Sequence, residues 1–267
     1  AVTATGRPAG GPRRGAGIRL EGLSINLGTT EVVAGIDLVV QPGEFVCLLG
    51  PSGCGKSTVL NAVAGFVAPA AGRVRVGDST VDGPSVDRGV VFQSSESLFP
   101  WLNVRENVEY GPRMRGMPRA DRRALAARYL RMVGLEHATE RFPGELSGGM
   151  CQRGQIARVL VNEPTVVLMD EPFGALDAQT RRVMQSELDR LWRETGCTVL
   201  FITHDIGEAV LLGDRVVTMT AGPRARIKTV RQVALAHPRD LTDAGAVELF
   251  RVLRDDIAEE VVKSMRI

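Results

Sequence analysis

The sequence predicts an α/β protein built around a parallel β-sheet, and three observations lead to that prediction. Two apolar runs without alternation, TVVLMD at 165–170 and CTVLFIT at 197–203, have the composition of strands buried on both faces. A helical stretch at 178–194 connects them, as a parallel crossover requires. The first third of the chain is strand-rich, whereas residues 105–137 carry a helical pattern rich in Arg and Ala. We therefore expect a parallel-sheet core and a helical subdomain.

The remaining elements follow from local patterns. In the first third, β-branched residues and Gly or Pro turns mark three strand-like stretches, IRLEGLSINL (18–27), IDLVVQPGEFVCLLG (36–50) and GRVRVGDSTV (72–81). A further helix is expected to begin at Ser147, and the chain ends in a charged amphipathic helix around 247–262. We find no internal repeat.

Charge and cysteine content argue against several classes of protein. The 33 basic and 31 acidic residues give a net charge of +2, without the basic surplus of a typical nucleic-acid-binding protein, so we expect no nucleic-acid partner. Four cysteines, Cys47, Cys54, Cys151 and Cys197, include no CxxC pair. That spacing favours a reducing compartment over a disulfide framework or a zinc site.

The N-terminal residues 1–17 are rich in Gly, Pro and Arg and lack the apolar segment of a signal peptide. Nowhere does an apolar run approach the roughly 18 residues that span a bilayer. We expect a protein that is neither secreted nor membrane-spanning by itself, with a disordered tail over 1–17. The arginines of the tail could contact acidic lipid, although a solvated tail is the simpler interpretation.

The segment GPSGCGKST, residues 50–58, lies between the apolar FVCLL and the helical STVLNAVAGF. It matches G-x-x-x-x-G-K-[ST] in the strand-to-helix context of a phosphate-binding P-loop. The glycines let the backbone wrap round a β-phosphate, Lys56 offers charge to the β- and γ-phosphates, and Ser57 offers a hydroxyl to Mg²⁺. The alternative is a chance Gly-rich turn. The candidate nucleotide-binding residues here are Gly50, Pro51, Ser52, Gly53, Cys54, Gly55, Lys56, Ser57 and Thr58.

An acidic pair follows the buried strand VVLMD, at the sheet edge where ligands gather. Asp170 is expected to hold Mg²⁺ through its water shell, and Glu171 to polarise an attacking water as general base. Alternatively, the pair only caps a helix before Pro172. His204 ends the next buried strand, where it could contact a γ-phosphate and hold the water, or simply close the strand as a packed histidine.

Two glycines follow a serine where the helix of LSGGMCQRGQ, residues 146–155, is expected to begin. Glycine costs roughly 0.8 to 1 kcal/mol relative to alanine inside a helix, so Gly148 and Gly149 cost local stability although Ser147 is a good N-cap. Such a pair lets another group approach the backbone closely, and the free N–H groups of a helix start attract anions. Taken alone, the stretch would more simply be a Gly-rich turn.

These segments, in this order, resemble the nucleotide-binding subunit of ABC transporters over nearly the whole chain, from about Ile18 to Asp214. GPSGCGKST resembles the Walker A loop, VVLMDE the Walker B strand with its catalytic glutamate, and LSGGM the ABC signature. GALD at 174–177 is similar to the D-loop, ITHD to the switch-histidine loop, and VVFQ places Gln93 as the Q-loop glutamine.

The resemblance implies the ABC cassette fold, which is a P-loop NTPase core with a parallel sheet, an antiparallel β subdomain and a helical subdomain. The cassette would span 18–221 with the helical subdomain at about 94–160 inside it, and a short C-terminal extension would occupy 222–267.

The resemblance also implies an ATPase that uses ATP and Mg²⁺ and works as a head-to-tail pair of cassettes. Ser147, Gly148 and Gly149 of one copy would then close over the γ-phosphate held by Lys56 of the other, which explains the two glycines. The implied catalytic residues are Glu171, His204, Gln93 and Lys56. The implied metal site is Ser57, Gln93 and Asp170, and the implied nucleotide contacts also include Gln93, Asp177 and Leu27.

Three departures from the family pattern concern four positions. Leu27 stands where an aromatic ring usually stacks on adenine, so the base would be held by apolar contact. Met150 replaces the commonest glutamine of the signature, as in one subfamily of importers. Cys151 and Gly154 sit where that subfamily tends to have other residues, and Gly154 is expected to loosen the signature helix.

The segment SLFPWLNVRENV, residues 97–108, resembles the cassettes of taurine, sulfonate, nitrate and bicarbonate importers. Phe99, Pro100 and Trp101 would form an apolar cluster that meets the coupling helix of a membrane permease, and an extracytoplasmic solute-binding protein would be an indirect partner. Alternatively, Phe99 and Trp101 pack into the helical subdomain. The expected location is the cytoplasmic face of the membrane, as a peripheral subunit.

The nature of the solute stays open, because cassettes for thiamine precursors or aromatic carboxylates share the same pattern. A soluble ABC ATPase acting on DNA or ribosomes is the main alternative class, but such proteins carry long coiled coils or two cassettes. A kinase or GTPase would leave LSGG and the switch histidine unexplained.

Overall fold

The structure is a computed structural model that describes residues 15–93 and 98–264. Most of the predicted tail, the predicted start of the helical subdomain at residue 94 and the last three residues therefore lie outside the described residues. The described residues form ten strands and seven α-helices in an α/β arrangement. The predicted fold class is confirmed.

A four-stranded antiparallel sheet is built mainly from the first third of the chain. Its strands are Ile18–Leu27 (β1), Thr30–Val40 (β2), Ala71–Val76 (β4) and Ser79–Thr80 (β5), in the order β2-β1-β4-β5. β1 has the predicted bounds. The predicted stretch 36–50 is divided between two sheets, because the turn at Gln41-Pro42-Gly43 ends β2 and a new strand begins at Phe45.

The second sheet has six strands and forms the core. They are Phe45–Leu49 (β3), Arg88–Val91 (β6), Val166–Asp170 (β7), Thr198–Ile202 (β8), Arg215–Met219 (β9) and Ile227–Gln232 (β10), in the order β10-β9-β3-β8-β7-β6. All pairings are parallel except that of β10 with β9. The predicted buried parallel strands β7 and β8 are confirmed.

The helices cover both faces of this sheet. They are Lys56–Ala64 (α1), Val104–Met114 (α2), Arg119–Met132 (α3), Gly148–Leu160 (α4), Ala178–Thr195 (α5), Ile206–Leu212 (α6) and Ala244–Ser264 (α7). The expected helical stretch 105–137 is interrupted between α2 and α3, where Gly116 has a φ of 75° and Pro118 precedes α3. Both residues end a helix more readily than they continue one.

The core strands divide their side chains between two apolar layers. One apolar cluster contains Phe45, Cys47 and Leu49 of β3 together with residues of α2, α3, α4 and α5. The other contains Val46 and Leu48 of β3 together with residues of α1 and the antiparallel sheet. Alternation of side chains along a strand that is buried on both faces produces this division. The candidate catalytic residues discussed below follow the carboxyl ends of these strands, and the signature segment lies at the start of α4.

The cysteines, the lengths of the helices and the N-terminal residues can be compared with the sequence predictions. All four cysteines are buried free thiols, and burial raises the pKa of each of them. Across the described residues, no helix combines the length and the apolar character needed to cross a membrane. Residues 15–17, within the predicted tail, are hydrogen bonded to the core: Gly15 N donates to Gly196 O at 2.9 Å and Gly77 N donates to Gly17 O at 2.8 Å.

The C-terminal helix α7 is anchored by a buried carboxylate. Only 2% of the Glu260 side chain is exposed, and it accepts hydrogen bonds from Ala221 N at 2.9 Å and Lys263 Nζ at 2.7 Å and pairs with Lys228 Nζ at 3.1 Å. Burial raises the pKa of Glu260, but the bonds from Lys263, Ala221 and Lys228 outweigh burial and lower it to about 2.

We expect stability to depend on pH through Glu260. Its folded pKa of about 2 lies below the ordinary value of 4.5, so its contribution of about 3 kcal/mol is present above about pH 4.5 and is lost as the pH falls towards 2. Urea unfolding should show wild type to be more stable than Glu260→Gln at pH 7, with a difference that shrinks between pH 5 and 3. A difference that does not change over that range would contradict this assignment.

Candidate functional site

The P-loop, residues 50–55, connects the end of β3 to α1, as predicted from the sequence. Gly53 and Gly55 have φ angles of 75° and 94°, in the left-handed region that favours glycine. A Cβ on Gly55 would come within 2.8 Å of Val33 Cγ2 and 3.0 Å of Val32 Cγ1. Gly55 is therefore required both by its backbone conformation and by the close approach of β2.

The side chain of Lys56 is hydrogen bonded to the backbone of the P-loop. This side chain is buried, and Nζ donates to Gly50 O at 2.8 Å and to Pro51 O at 2.9 Å. Nζ also lies 3.9 Å from the buried Cys54 Sγ. Of the other predicted phosphate contacts, Ser52, Gly53 and Ser57 are exposed, and Thr58 is half-buried in the first turn of α1. The loop therefore combines a buried ammonium group with exposed residues at the edge of the sheet.

Asp170 and Ser57 lie together at this edge. Burial and the charge of the neighbouring Glu171 raise the pKa of Asp170 above its ordinary value, although a hydrogen bond from the Ser57 side chain and the charge of Lys56 oppose this change. The buried Oδ1 of Asp170 has no hydrogen-bond partner within residues 15–93 and 98–264. A buried carboxylate oxygen without a partner, beside a serine hydroxyl, is a donor set of the oxygen type that Mg²⁺ prefers, so the residues fit that ion.

Glu171 is held by two side chains from different parts of the chain. Gln93 Nε2 donates to Glu171 Oε2 at 3.0 Å, and His204 Nδ1 lies 3.1 Å from the same oxygen. Gln93 follows β6, Glu171 follows β7 and His204 follows β8, so three parallel strands deliver these groups to one edge. The sequence placed Glu171 and His204 at strand ends, and Gln93 was assigned through the resemblance to the Q-loop. In the structure both Gln93 and His204 contact Glu171.

The backbone at Glu171 is strained. Its φ of 45° is in the left-handed region, which costs a residue with a side chain of order 1–3 kcal/mol. Glu171 N donates to Ile202 O at 3.0 Å, and Glu171 O accepts from Gly174 N at 3.2 Å. These bonds hold the conformation that turns the side chain towards Gln93 and His204. Capping of a helix before Pro172, the alternative role for this pair, is not among the hydrogen bonds that Glu171 makes.

The residues on either side of His204 belong to a hydrogen-bonded network that the sequence did not indicate. Thr203 Oγ1 donates to Glu208 Oε2 at 2.6 Å, and Gln185 Nε2 donates to Glu208 Oε1 at 3.3 Å. Asp205 caps α6 by accepting from Gly207 N at 2.7 Å. The His204 side chain itself is 66% exposed, so it is not a packed histidine that merely closes the strand.

The signature segment begins α4, with Ser147 as the N-cap whose Oγ accepts from Met150 N at 3.3 Å. The two glycines have different surroundings. A Cβ on Gly149 would lie 3.2 Å from Leu176 Cδ2, whereas a Cβ on Gly148 would meet nothing within 4 Å. Packing inside the chain therefore restricts Gly149, but it does not restrict Gly148. No hydrogen bond joins this segment to the P-loop in the part of the chain that the structure describes.

Asp177 has a local role in the structure. It is the N-cap of α5, and it accepts from Gln179 N at 3.1 Å, Thr180 N at 2.9 Å and Thr180 Oγ1 at 2.6 Å. Hydrogen bonds from Thr180 and Gln179 lower the pKa of the Asp177 carboxyl. Leu27 ends β1 with a half-exposed side chain. Neither observation tests a contact with nucleotide, so both assignments stay predictions.

Two residues of α4 tie the signature helix to its surroundings. Gln152 Nε2 donates to Phe92 O at 3.2 Å, which links α4 to the residue before Gln93. A Cβ on Gly154 would lie 3.2 Å from Leu98 Cδ1 and 3.7 Å from Leu135 Cδ1. Gly154 was expected only to loosen the helix, and its position shows that it also allows close packing. Sequence periodicity alone does not reveal either contact.

The predicted docking cluster divides into a packed part and an exposed part. Phe99 stacks on Trp101 with ring centroids 5.4 Å apart, contacts Tyr110 at 4.8 Å, and lies beneath the Arg158 guanidinium at 4.8 Å. The Trp101 side chain is 70% exposed, and Pro100 is exposed as well. Phe99 is therefore a packed support for Trp101, and Trp101 does not pack into the helical subdomain.

The fold and the arrangement of these groups define the class of the protein, which is an ATPase of the P-loop type. The family model for the ABC transporter matches residues 33–174, and the chain belongs to that family. The predicted family, ABC cassette fold and ATPase class are thereby confirmed.

Individual relatives agree with this assignment. The chain is 52% identical over 230 residues to a taurine import ATP-binding protein, TauB of Chromobacterium violaceum, covering 85% of this chain and 88% of that one. It is 47% identical over 215 residues to a bicarbonate transport ATP-binding protein, CmpD of a Synechocystis species, covering 80% and 76% of the two chains. Among solved structures, a dimeric post-hydrolysis state of the ATP-binding cassette MJ0796 bound to ADP and Pi has a TM-score of 0.73 and 31% identity, covering 82% of this chain and all of that one.

Proposed function

We propose that this chain is the ATP-hydrolysing subunit of an importer that takes up a small anionic solute, such as taurine, another sulfonate or nitrate, through a partner permease. Glu171 would act as general base, two copies of the cassette would pair head to tail, and the pair would sit on the cytoplasmic face of the membrane. The observation that carries the catalytic part is the contact of Gln93 and His204 with one oxygen of Glu171.

In the proposed reaction, a water attacks the γ-phosphate of ATP and releases ADP and phosphate. Glu171 accepts the proton of the attacking water, because its carboxylate is fixed at the sheet edge and oriented by two neighbours. His204 and Gln93 hold Glu171 and the water in line with the phosphate. Lys56 supplies positive charge to the β- and γ-phosphates, and the backbone of residues 50–55 wraps round them.

Asp170, Ser57 and Gln93 would hold Mg²⁺ beside the phosphates. The unpartnered buried Oδ1 of Asp170 and the neighbouring Ser57 hydroxyl support this part of the proposal. The ion would supply positive charge that neutralises the phosphate oxygens.

Pairing of two cassettes would complete the site. Gly148 leaves open space beside the start of α4, and the exposed N-terminus of that helix suits a phosphate from the partner copy. The related cassette MJ0796 is dimeric when bound to ADP and Pi, which supports pairing of two copies here. Ser147, Gly149 and Asp177 would join Gly148 on the partner's nucleotide.

The importer class is supported by the names of the relatives, which are a taurine import and a bicarbonate transport ATP-binding protein. Both of those solutes are small and both carry an anionic group, so a small anion is the solute class we propose. Import of a thiamine precursor or an aromatic carboxylate is the alternative. An extracytoplasmic binding protein would deliver the solute and would meet this chain only through the permease.

The permease would dock at the apolar surface around Trp101. A groove of about 450 Å³ adjoins it, with walls that include Val86, Phe99, Tyr110 and Met114. Val86, Trp101 and Met114 have large exposed fractions, and exposed apolar clusters of this kind mark interaction sites. A short amphipathic helix of a permease loop suits the shape and the polarity of this groove.

Purification from the native membrane tests the transport assignment. The chain is tagged in its own cell, membranes are dissolved in mild detergent, and proteins that co-purify are identified by mass spectrometry. We expect a multi-spanning permease, and uptake of labelled taurine or nitrate should fall when the chain is depleted. Recovery with nucleic acid or ribosomes, and without a permease, would leave the ATPase chemistry in place and contradict the transport function.

We expect Trp101→Ala to weaken permease docking without changing nucleotide binding. The substitution removes a large exposed ring from the docking surface, whereas Trp101 makes no contact with the P-loop among the described side-chain contacts. ATP affinity of the isolated chain should equal that of wild type, and the amount of permease that co-purifies should fall. Leu241→Ala, another exposed apolar residue in the C-terminal extension, is the control that should retain the permease. Equal recovery with both variants would contradict a docking role for Trp101.

A further inference from the structure

A cleft between α2 and α3 is lined only by charged side chains. It has a volume of about 170 Å³, and its walls are five arginines and two glutamates, which leaves three positive charges without a counterpart among the lining residues. The arginines are Arg105, Arg113, Arg119, Arg122 and Arg123. A concave site that concentrates one sign of charge attracts ions of the opposite sign.

The two glutamates of the cleft are already engaged within the protein. Glu109 is buried, its Oε1 accepts from Arg105 Nη1 at 2.9 Å, and its Oε2 accepts from Arg122 Nε at 2.9 Å. Glu106 accepts from Asn103 N at 3.2 Å and so completes the capping box of α2. Two arginines therefore neutralise Glu109, and the negative charge of Glu106 is already included in the surplus of three positive charges.

The three other arginines of the cleft have no such partner. The side chains of Arg113, Arg119 and Arg123 form no hydrogen bond and no ion pair within 4 Å with any residue in 15–93 or 98–264. Glu140, an acid outside the cleft, is held by Arg105, whose Nε lies 2.9 Å from Glu140 Oε1. Hydrogen bonds from Arg105, together with the charges of Arg105 and Arg123, lower the pKa of Glu140.

We propose that this cleft is a binding site for a tetrahedral oxyanion with two negative charges, of the phosphate or sulfate type. Three guanidinium groups offer planar pairs of N–H donors that match the oxygens of such an anion, and every residue that lines the cleft is charged. A volume of about 170 Å³ accommodates a small inorganic ion but not a nucleotide. The anion would join Arg113 of α2 to Arg119 and Arg123 of α3 and so fix the two helices against each other.

The position of the cleft connects it to the proposed docking surface. Asn107 of α2 accepts from Phe99 N at 2.8 Å and donates from Nδ2 to Phe99 O at 3.1 Å, so α2 carries the support of Trp101. Tyr110 and Met114, also on α2, line the docking groove. An anion that fixes α2 would thereby strengthen the docking surface, and this consequence alone rests on the proposed function. Binding of the anion does not depend on it.

Equilibrium dialysis with radiolabelled sulfate and, separately, inorganic phosphate tests the site on the full-length chain. Saturating ADP is present so that the P-loop is occupied, and chloride keeps the ionic strength constant. We expect the wild-type chain to bind one sulfate or phosphate in addition to ADP. A variant carrying Arg113→Gln, Arg119→Gln and Arg123→Gln should bind this anion at least about tenfold more weakly. Each charged hydrogen bond that it loses contributes more than about 1 kcal/mol. The matched control carries Arg19→Gln, Arg182→Gln and Arg251→Gln, which removes the same charge elsewhere and should bind as wild type.

The results decide whether the site exists and whether a free ion or a lipid headgroup supplies the anion. Equal affinity in the control and in the triple variant at Arg113, Arg119 and Arg123, which we call the cleft variant, would overturn the proposal. Absence of any binding that depends on the cleft, whether of free sulfate, free phosphate or vesicles, would overturn it as well. Flotation with phosphatidylglycerol vesicles distinguishes a lipid phosphoryl group from a free ion. Binding to vesicles that the cleft variant loses, without binding of free sulfate or phosphate, would support the phosphoryl site and assign it to lipid headgroups. Because no permease is present, failure of this test leaves the proposed transport function unaffected.

Discussion

Replacement of Glu171 by glutamine is expected to abolish ATP turnover while ATP binding is retained. The amide has nearly the shape of the carboxylate, so Gln93 and His204 can still contact it, but it cannot accept a proton from the attacking water. Loss of a general base costs typically 10²–10⁴-fold in rate. The substitution leaves the P-loop and Lys56 unchanged, so the affinity for ATP should stay within about twofold of wild type. A twofold change corresponds to much less than the 1.4 kcal/mol of binding free energy that a tenfold change requires.

The same variant reports on pairing of the cassettes. With Mg-ATP bound and not hydrolysed, the two copies should stay closed, and light scattering after size exclusion should give twice the mass of the chain. Glu248→Gln, an exposed acid on α7, is the control that should hydrolyse ATP and remain largely monomeric. Turnover within tenfold of wild type would remove Glu171 from the role of base. A monomer that binds Mg-ATP would contradict the proposed head-to-tail pair for the isolated chain.

Much of the fold could be predicted because the strands of the core have a strong local pattern. β7 and β8 are continuous apolar runs, and each begins and ends within one residue of its predicted range. β1 occupies its predicted range, 18–27, and exposed or half-buried residues separate its buried residues Ile18, Leu20, Leu23 and Ile25. The pairing register shifts between Leu20 and Leu23, so the alternation is interrupted there. A strand that is buried on both faces is apolar throughout, and a strand buried on one face has apolar residues at intervals. Both patterns are visible in the sequence without knowledge of the tertiary contacts.

Other elements could not be predicted because tertiary contacts determine them. α6 is only seven residues long, and it begins after Asp205, which caps it. β10, with the sequence IKTVRQ, is mostly half-exposed, and its pairing with β9 is what makes it a strand. Short elements with little buried surface carry a weak periodic signal, so neither of them stood out in the sequence.

The candidate site shows the same division. Motif spacing was enough to place Lys56, Asp170, Glu171 and His204 at the carboxyl ends of strands, because a parallel sheet brings those ends to one edge. The left-handed φ of Glu171 could not be predicted, because the bonds that hold it come from β8 and from Gly174. The distinct surroundings of the two signature glycines depend on Leu176, which lies 27 residues beyond Gly149 in the sequence.

Those distinct surroundings lead to a prediction in which stability and activity change in opposite directions. Gly148→Ala adds a methyl group where the single chain has open space within 4 Å, and alanine favours a helix over glycine. The free energy of unfolding should therefore be unchanged or rise by up to about 1 kcal/mol. In the paired cassettes, however, the methyl group would stand between the helix start and the partner's γ-phosphate, where a displacement of about 1 Å can cost as much as 10²-fold in rate.

Gly149→Ala is the matched comparison on the neighbouring residue. Its new Cβ would lie 3.2 Å from Leu176 Cδ2 and 3.6 Å from Ala175 O, so some stability should be lost within a single chain, before any partner binds. Urea unfolding of both variants, beside their ATPase rates, separates the two effects. A stable and inactive Gly148→Ala variant would support the paired site. Wild-type ATPase activity in that variant would instead mean that Gly148 does not approach the nucleotide.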